Sequence, residues 1–351
     1  MKTSVAIFIP TLKSGGAEKQ AALLAKVLDV HCVVNIYLLY NVHDNAAQNL
    51  AFLANTNVKI HTLSGNIFSK ILQLKTLLKF HKTEVLFNYL TSCNVVGAAA
   101  AYMAGVKKIF GGIRNSKLEW WKMVVERLIH NTIATGTIYN CHSGATYFAT
   151  QGFNNKKNII IPNCFQPIAD TIVRANKDKK HIVTVGRFVP QKDYKTLIAT
   201  ISALKKLRED FVVDIVGYGE QEADICTWIK EHNVEDCVNI YIRPDNVQSI
   251  ICSGDIYLST SLYEGTSNSI MEALNWSLPV VATNVGDNYL LVKNGINGTL
   301  HPVGDAEGMA QSLAILLEDE QKRNEYGAQS NKNLRECYSI ESFEKRYLSL
   351  L

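Results

Sequence analysis

The sequence predicts an α/β protein built from two consecutive domains, each with a parallel sheet covered by helices. Short runs rich in Val and Ile alternate with stretches of helical periodicity, and this alternation is typical of parallel sheets with helices on both faces. The alternation starts again near residue 181. Before it lies a joint at 162–180 that holds prolines, few large apolar residues and a run of charges. These observations favour two domains over one large sheet.

The elements follow from the local patterns. The first run, Val5–Ile9, is too short for a signal peptide and is broken by Pro10, so it predicts a strand. Further strands are predicted at 33–40, 86–90, 107–114, 137–142 and 158–163, and then at 181–188, 211–219, 238–242, 255–261 and 279–285. Helical periodicity covers 17–30, 70–82, 92–105, 117–128, 193–207, 222–233, 269–276, 308–327 and 339–351.

We therefore predict four segments. Residues 1–165 form a first domain, 166–180 a linker, 181–335 a second domain, and 336–351 a terminal helix that packs back on the first domain. Sheets of this kind bind ligands at the carboxyl ends of their strands. Two Rossmann-like domains with facing sheets are then expected to share one site in a central cleft.

Charge is distributed unevenly along the chain. Residues 1–165 hold 17 Lys and Arg against 6 Asp and Glu, whereas residues 166–351 have a net charge of −7. The basic half favours an anionic ligand or surface, although drift in surface composition is an alternative. The eight cysteines are scattered without a CxxC pair, so we expect reduced thiols in a cytoplasmic protein and no zinc site. No run is long enough to predict a membrane span.

A glycine pair follows the first predicted strand. Gly15 and Gly16 precede the helix at 17–30, and residues without a Cβ let the backbone approach a ligand closely. The helix N-terminus adds free N–H groups that suit an anion such as phosphate. Because the spacing is neither GxGxxG nor a Walker A loop, a plain tight turn stays open as the alternative.

Two cations follow the first strand of the second domain. That strand ends at Gly186, and Arg187 and Lys192 come next, before a helix. An Arg that can bind bidentately and a Lys point charge at a strand end can clamp a diphosphate. Gly217, at the end of the next strand, would let a flat ligand approach the backbone. Solvated surface cations and an ordinary turn are the alternatives.

Two carboxylates flank a predicted helix start in YEGTSNSIMEAL. Glu264 precedes this start and Glu272 lies about one turn inside the helix, with the capping residue types Thr266, Ser267 and Asn268 between them. The helix start can bind phosphate through its N–H groups. Carboxylates on both sides could then accept hydrogen bonds from a sugar and from a ribose. The alternative is a capping pattern with an exposed Glu264.

Six motifs occur in order along the chain: GGAEK, VGRFVPQK, IVGYGE, EGTSNSIMEAL, PVVATNVGDN and NGINGTLHP. Together they resemble a glycosyltransferase of family 4, a retaining enzyme with the GT-B fold, of the type that assembles O-antigen and other surface polysaccharides. The resemblance covers essentially the whole chain and is strongest from 181 to 305. Glu264 and Glu272 match the E-x7-E element of that family.

The resemblance implies a role for each matching residue. Gly15–Gly16 would lie against the donor diphosphate, and Arg187 and Lys192 would neutralise the diphosphate as it leaves. Glu264 would bind hydroxyls of the transferred sugar, and Glu272 the ribose. We predict Arg187, Lys192 and Glu264 as the catalytic residues. The other predicted donor-binding residues are Gly186, Gly217, Tyr241, Ile242, Arg243, Thr266, Ser267 and Asn268, although Arg243 stands where a glycine is common.

One stretch departs from the family pattern. Many members place a His near the sugar, in a loop after a central strand of the first domain. The matching stretch here is FGGIRNSK, so Arg114 and Asn115 stand in that region. We predict an acceptor-side role for these two residues, whereas His142 is expected to be structural or peripheral.

The resemblance implies transfer of a hexose or N-acetylhexosamine from a UDP-sugar, with GDP as an alternative, and without a metal or other cofactor. The first domain has no DxD motif, which agrees with this expectation. Trp120 and Trp121 beside lysines in 117–128, and four lysines among apolar residues in 70–82, favour peripheral contact with the anionic inner face of the cytoplasmic membrane. A polyprenyl-diphosphate-linked glycan is then the expected acceptor. The alternative is that both stretches are ordinary core helices.

Two other functions stay open at the level of sequence. A UDP-sugar 2-epimerase of GT-B-like form would share the architecture, but the GGAEK and E-x7-E motifs fit it less well. A scaffold that binds a nucleotide-sugar without turnover would agree with the missing His. Nucleic-acid binding is not predicted, because the lysines are spread over α/β elements and form no recognisable module.

Overall fold

A computed structural model describes residues 2–13, 15–40, 47–114, 118–175 and 177–351. The chain forms two units. The first contains Met1–Cys164 and Ile340–Leu351, and the second contains Phe165–Ser339. Each unit is an α/β layer structure with its own parallel sheet and apolar core.

In the first unit, the described residues form a seven-stranded sheet in the order β3-β2-β1-β4-β5-β6-β7. Its strands are β1 (Ser4–Ile9), β2 (Val33–Leu38), β3 (Lys59–Thr62), β4 (Val85–Asn88), β5 (Lys108–Ile113), β6 (Gly136–Tyr139) and β7 (Asn158–Ile160). Its first helices are α1 (Gly16–Asp29), α2 (Ala47–Ala51), α3 (Ile67–Phe80), α4 (Thr91–Ala104), α5 (Trp120–Thr132) and α6 (His142–Thr150). Every residue of β1 is buried, as expected for a central parallel strand with helices on both faces.

The second unit has six strands among its described residues, in the order β10-β9-β8-β11-β12-β13. They are β8 (Lys180–Arg187), β9 (Phe211–Tyr218), β10 (Val238–Ile242), β11 (Ile256–Ser259), β12 (Val280–Thr283) and β13 (Gly298–His301). The helices are α7 (Tyr194–Lys205), α8 (Glu222–Glu231), α9 (Val247–Ser253), α10 (Asn268–Asn275), α11 (Asn288–Leu291), α12 (Ala306–Glu318) and α13 (Glu320–Tyr338). The strand order reverses between β8 and β11, and ligands of doubly wound sheets bind at such a switch point.

The segment 166–180, predicted as a linker, belongs to the second unit. The Arg174 guanidinium is largely buried and donates hydrogen bonds to four backbone carbonyls, those of Cys252, Gly254, Trp276 and Ser277. The N–H of Ala169 donates to the side chain of Asn275. These bonds join the segment to residues about a hundred positions away, so composition alone could not show that it is an integral part.

The chain ends in the first unit. Helix α14 (Ile340–Leu348) buries Phe343 and Tyr347 in the core of that unit, where the Tyr347 ring packs edge-on against Phe87. The sequence predicted a terminal helix that starts at 336 and packs on the first domain, but α13 of the second unit continues to Tyr338. The predicted helix at 308–327 is two helices, because Asp319 ends α12 and its carboxylate caps α13 by accepting from the N–H of Lys322.

Two further features concern the chain as a whole. All eight cysteines are free thiols. None of the helices in the described ranges is both long enough and apolar enough to span a bilayer.

Candidate donor site of the second unit

A pocket of about 720 Å³ opens at the carboxyl ends of β8 and β9 and at the loop after β10. Two of the residues that line it, Gly186 and Gly217, are glycines and expose backbone to the pocket. Gly186 and Gly217 lie opposite each other in the β8–β9 register, and a Cβ on Gly217 would lie 1.9 Å from the carbonyl oxygen of Gly186. The two predicted glycines therefore meet, and a larger side chain at Gly217 would push the strands apart. We call this cavity the glycine-floored pocket.

Arg243 and Tyr218 form one wall of the glycine-floored pocket. The Arg243 guanidinium carbon lies 4.7 Å from the centroid of the Tyr218 ring, which is a cation–π distance. The backbone N–H of Arg243 donates to the carbonyl of Gly217 at 3.1 Å. Tyr218 is a site residue that the sequence prediction missed, although it stands between the two glycines of VGYGE.

Tyr241 and Ile242, which were predicted to bind the donor, do not line this pocket. Tyr241 packs against the apolar core of the second unit, and burial together with the carboxylate of Asp214 raises the pKa of its hydroxyl. Ile242 is exposed on the strand end. The alternation of side chains along a strand places neighbours on opposite faces, so one stretch cannot present all its residues to the same ligand.

Lys192 and Glu264 form an ion pair beside this pocket. Lys192 ends a short 3-10 helix, Pro190–Lys192, and its Nζ lies 2.5 Å from Oε1 of Glu264. The same carboxylate oxygen accepts a hydrogen bond from Ser261 Oγ at 2.8 Å. The two side chains are only 18% and 10% exposed, so the pair is largely buried. The predicted diphosphate cation and the predicted sugar-binding carboxylate therefore neutralise each other.

Arg187 differs from Lys192 in this respect. It is exposed at the end of β8 and forms no ion pair with the described residues of the chain. Arg187 also lines the glycine-floored pocket. Its positive charge is thus available to a ligand, as the sequence predicted for a diphosphate clamp.

The loop that carries Glu264 is held from two sides. The N–H of Leu262 donates to the carbonyl of Gln191, and the Gln191 side chain donates to the carbonyl of Tyr263, both at 2.8 Å. On the other side, Gly286 has φ 54, and a Cβ there would lie 2.0 Å from the Glu264 carbonyl oxygen. The carboxylate is therefore presented by a fixed backbone, which lowers the entropy cost of binding a ligand.

The helix start between the two glutamates is formed as predicted. Ser267 caps α10, its hydroxyl accepting from the N–H of Ile270 at 3.5 Å, and Glu272 lies one turn inside the helix. The buried Tyr257 links the parts of the site, since its hydroxyl donates to the Val185 carbonyl at the pocket floor. Burial raises the pKa of this hydroxyl, hydrogen bonds with the Ser269 side chain and the Val185 backbone lower it, and the negative charges of Glu272 and Glu264 add a smaller upward effect.

The remaining predicted residues lie in the first unit. Gly15 caps α1 and Gly16 is its first residue, where an added Cβ would meet nothing within 4 Å. Arg114 lies 4.7 Å over the Tyr89 ring and donates to the side chain of Asn163. Its partner in the prediction, Asn115, lies outside the described residues.

A buried carboxyl group near Arg114 was not predicted. Glu126 on α5 is 3% exposed and accepts a hydrogen bond from the Asn94 amide at 2.8 Å. Asn94 in turn binds both the N–H and the carbonyl of Gly112, two residues before Arg114. Burial raises the pKa of Glu126 to about 7. The only sequence signal was a single acidic residue on the apolar side of an amphipathic helix.

No group of three or more His, Cys, Asp or Glu side chains in the described part of the chain is arranged to hold a metal ion. The metal-independent mechanism stays a prediction from the family resemblance.

The chain is similar over its whole length to a solved structure. The crystal structure of Anabaena Alr3699/HepE in complex with UDP superposes with a TM-score of 0.79, covers 99% of each chain and is 17% identical in sequence. This chain has the GT-B fold. Residues 166–333, which make up nearly all of the second GT-B unit, match the model of the family described as Glycosyl transferases group 1.

Two curated proteins show how far the sequence similarity extends along the chain. The N-acetylgalactosamine-N,N'-diacetylbacillosaminyl-diphospho-undecaprenol 4-alpha-N-acetylgalactosaminyltransferase of Campylobacter jejuni is 26% identical, over 91% of this chain and 92% of its own length. The lipopolysaccharide core biosynthesis glycosyltransferase LpsE of Rhizobium meliloti is 25% identical over 174 residues. The chain spans only half the length of LpsE.

Proposed function

We propose that this chain is a glycosyltransferase whose nucleoside-diphosphate sugar binds at the carboxyl edge of the second sheet. The observation that carries the proposal is that Arg187 lines the glycine-floored pocket, while the Lys192–Glu264 pair and the start of α10 follow the adjacent strands β8 and β11. Cations and helix N–H groups suit a diphosphate, and carboxylates suit sugar hydroxyls. The family match of residues 166–333 supports the same function.

The chemistry is stabilisation of the leaving group. When the bond between the sugar and the diphosphate breaks, negative charge develops on the departing phosphate oxygens. In this scheme Arg187 and the N–H groups at the start of α10 would meet that charge with little reorganisation, because both belong to fixed secondary structure. The Lys192 ammonium group would contact both the phosphate and Glu264. The second carboxylate oxygen of Glu264 can accept a hydrogen bond from a hydroxyl of the transferred sugar.

We propose that transfer retains the anomeric configuration and needs no metal ion. In this scheme the acceptor hydroxyl attacks from the face that the diphosphate leaves, and the leaving phosphate takes the proton of that hydroxyl. The resemblance of the E-x7-E element to retaining family 4 enzymes supports the proposal. Proton NMR of the first-formed product checks the anomeric outcome, and an inverted product would contradict it. Activity in EDTA should equal activity without EDTA; loss that Mg²⁺ restores would contradict metal independence.

For the donor we propose a UDP-hexose or UDP-N-acetylhexosamine, with GDP as the second candidate. The similar Anabaena protein has been solved in complex with UDP and with UDP-glucose, which supports UDP. For the acceptor we propose a lipid-linked glycan of cell-surface polysaccharide assembly. The Campylobacter jejuni relative is named for a diphospho-undecaprenol substrate, and the basic balance of residues 1–165 suits an anionic acceptor.

The exposed faces of α3 and α5 are the proposed point of peripheral membrane contact. Leu74 and Leu78 on α3 are buried, but the same helix exposes Phe68 and Phe80 by 68% and 78%. Trp120, at the start of α5, is 80% exposed. Helix α3 also carries three lysines and no acidic residue. Exposed aromatic rings beside lysines favour the inner face of an anionic membrane.

Flotation with vesicles tests this contact. We expect the full chain to float with vesicles containing phosphatidylglycerol and not with purely zwitterionic ones. The double variant F80S/W120S should lose flotation, whereas Ile315→Ser, which removes a half-exposed apolar side chain from the second unit, should not. Equal flotation of both variants, or no flotation of the wild type at physiological salt, would refute the membrane contact.

A thermal-shift panel tests the donor site. UDP, GDP, ADP and their common sugar conjugates are added without metal, and a ligand that binds the folded state raises Tm with concentration. We expect a shift with one nucleotide family, then transfer to a lipid-linked acceptor with that donor, and loss of both in Arg187→Ala. Binding without transfer would favour a scaffold. No shift with any nucleotide, in a well-folded sample, would refute the donor site.

A further inference from the structure

Arg243 keeps a backbone conformation that suits glycine better. Its φ is 47, in the left-handed region, and Pro244 follows it directly. Left-handed backbone is unfavourable for residues with a Cβ, and a residue before proline is also restricted towards extended conformations. Glycine would adopt this turn without that cost. An arginine that persists in a strained position points to a use for its side chain.

The Arg243 side chain is held in place but its donors are free. The guanidinium lies over the Tyr218 ring, and the backbone N–H is anchored to the Gly217 carbonyl. Arg243 is exposed and has no ion pair within the described ranges. A guanidinium offers five N–H donors and no acceptor. The guanidinium in this wall of the glycine-floored pocket can therefore donate hydrogen bonds to a ligand and accept none.

The strand order shows which part of a donor would meet this wall. Along the carboxyl edge, Glu264 follows β11, Arg187 ends β8, Tyr218 ends β9 and Arg243 follows β10. Adjacent strands lie about 4.8 Å apart, so Arg243 is about 10 Å from the end of β8 along this edge. Because one pocket is lined from Arg187 through Tyr218 to Arg243, a nucleotide whose diphosphate lies at Arg187 has room to extend its base towards β10. The edge of the base opposite the ribose then faces Arg243.

We propose that Arg243, stacked on Tyr218, selects the donor by binding a carbonyl oxygen on the far edge of its base, a role that rests on the function proposed above. Uracil and guanine carry a carbonyl oxygen at that edge, whereas cytosine and adenine carry an amino group there. The carbonyl accepts from the guanidinium, while the amino group places donor against donor. UDP and purine diphosphates with a 6-carbonyl are accepted, and CDP and ADP are rejected.

Calorimetric titration of the full chain with UDP, CDP, GDP, inosine diphosphate and ADP tests this selection. UDP with CDP, and inosine diphosphate with ADP, are matched pairs that exchange the carbonyl for an amino group. We expect at least one carbonyl nucleotide to bind about tenfold or more tightly than its amino partner, which is the effect of one hydrogen bond to a charged group. The stronger of UDP and inosine diphosphate identifies the base as pyrimidine or purine.

The variants isolate the side chain. Arg243→Met keeps the aliphatic stem and Arg243→Gly removes the backbone strain, so both should reduce the preference within each pair to about twofold. Arg243→Gly should also have a Tm no lower than the wild type. Tyr218→Leu should weaken the preference because the guanidinium loses its support. Lys332→Met, an exposed cation of α13 away from the pocket, serves as the control and should change nothing.

The outcomes separate this inference from the proposed function. If nucleotides bind but neither pair shows a preference, or if Arg243→Met and Arg243→Gly keep the wild-type preference, the inference is wrong and the donor site stands. If the amino partner binds more tightly, the inference is also wrong. If no nucleotide binds the wild type, the donor site itself is refuted, and the role of Arg243 falls with it.

Discussion

The Lys192–Glu264 pair allows the sharpest test of the site. Replacing Lys192 by Met leaves the Glu264 carboxylate with one remaining side-chain donor, Ser261, in a position where the carboxylate is only 10% exposed. Removing one partner of a buried pair typically costs about 3–5 kcal/mol. The retained Ser261 hydrogen bond offsets about 1 kcal/mol of this, so we expect a loss of about 2–4 kcal/mol in the free energy of unfolding of the second unit.

Urea unfolding of four proteins measures the coupling: the wild type, Lys192→Met, Glu264→Gln, and the double variant. Glu264→Gln keeps the size of the side chain and an oxygen that accepts from Ser261. Because the two side chains touch, we expect the losses not to add, with a coupling energy of about 1–3 kcal/mol. Strict additivity, within about 0.5 kcal/mol, would refute the conclusion that the two charges neutralise each other in the folded protein.

Ligand binding by the same variants separates their roles. Lys192→Met should weaken both the free nucleoside diphosphate and its sugar conjugate, because Lys192 is expected to face the phosphates. Glu264→Gln should weaken only the sugar conjugate, because its carboxylate is expected to face the transferred sugar. Equal loss of both ligands in Glu264→Gln would contradict the sugar-side role of Glu264.

Three further predictions follow from single contacts. The pKa of Glu126 rises from 4.5 to about 7 on folding, so its protonation stabilises the folded state below pH 4.5, and that stability is lost as pH rises through about 7. In urea unfolding, the wild type should therefore lose up to about 3 kcal/mol of unfolding free energy between pH 4.5 and 8, relative to Glu126→Gln. Parallel pH profiles of the two proteins would contradict this. Arg174→Met should destabilise the second unit by about 3 kcal/mol, because four buried carbonyls lose their donor; a loss under about 0.5 kcal/mol would show that 166–180 is a dispensable linker after all. Gly217→Ala should lower Tm markedly because its Cβ meets the Gly186 carbonyl, whereas Gly16→Ala has open space and should keep its Tm. An unchanged Tm in Gly217→Ala would contradict the close contact between β8 and β9 at these glycines.

Local periodicity predicted most of the elements but not the shortest ones. Strand β3 was missed because its four residues, Lys59–Thr62, are mostly exposed at a sheet edge and show no apolar alternation. Strand β13, Gly298–His301, was missed for the same reason of length and edge position. The single helix predicted at 308–327 is interrupted at Asp319, whose capping bond to Lys322 outweighs the continuous helical propensity around it.

The candidate site was predicted unevenly. Glu264 and Glu272 were placed on either side of a helix start because capping residues mark such a start in the sequence itself. The ion pair between Lys192 and Glu264 was not predicted, since the two residues lie 72 positions apart and meet only where the 190–193 turn packs on the loop after β11. Tyr218 was missed because nothing in VGYGE shows that its ring supports Arg243.

By itself, the sequence determined that the chain has two parallel α/β halves, where their strands end, and which residue types stand at those ends. These properties depend on the spacing of apolar residues and on turn chemistry within a few positions, which are local. Tertiary structure decided that 166–180 belongs to the second unit, and that Arg243 stacks on Tyr218. It also decided that Lys192 pairs with Glu264, whereas Arg187 forms no ion pair with the residues that the structure describes. Such contacts join residues that are distant in sequence, and they exist only once parallel strands have brought their carboxyl ends to one edge.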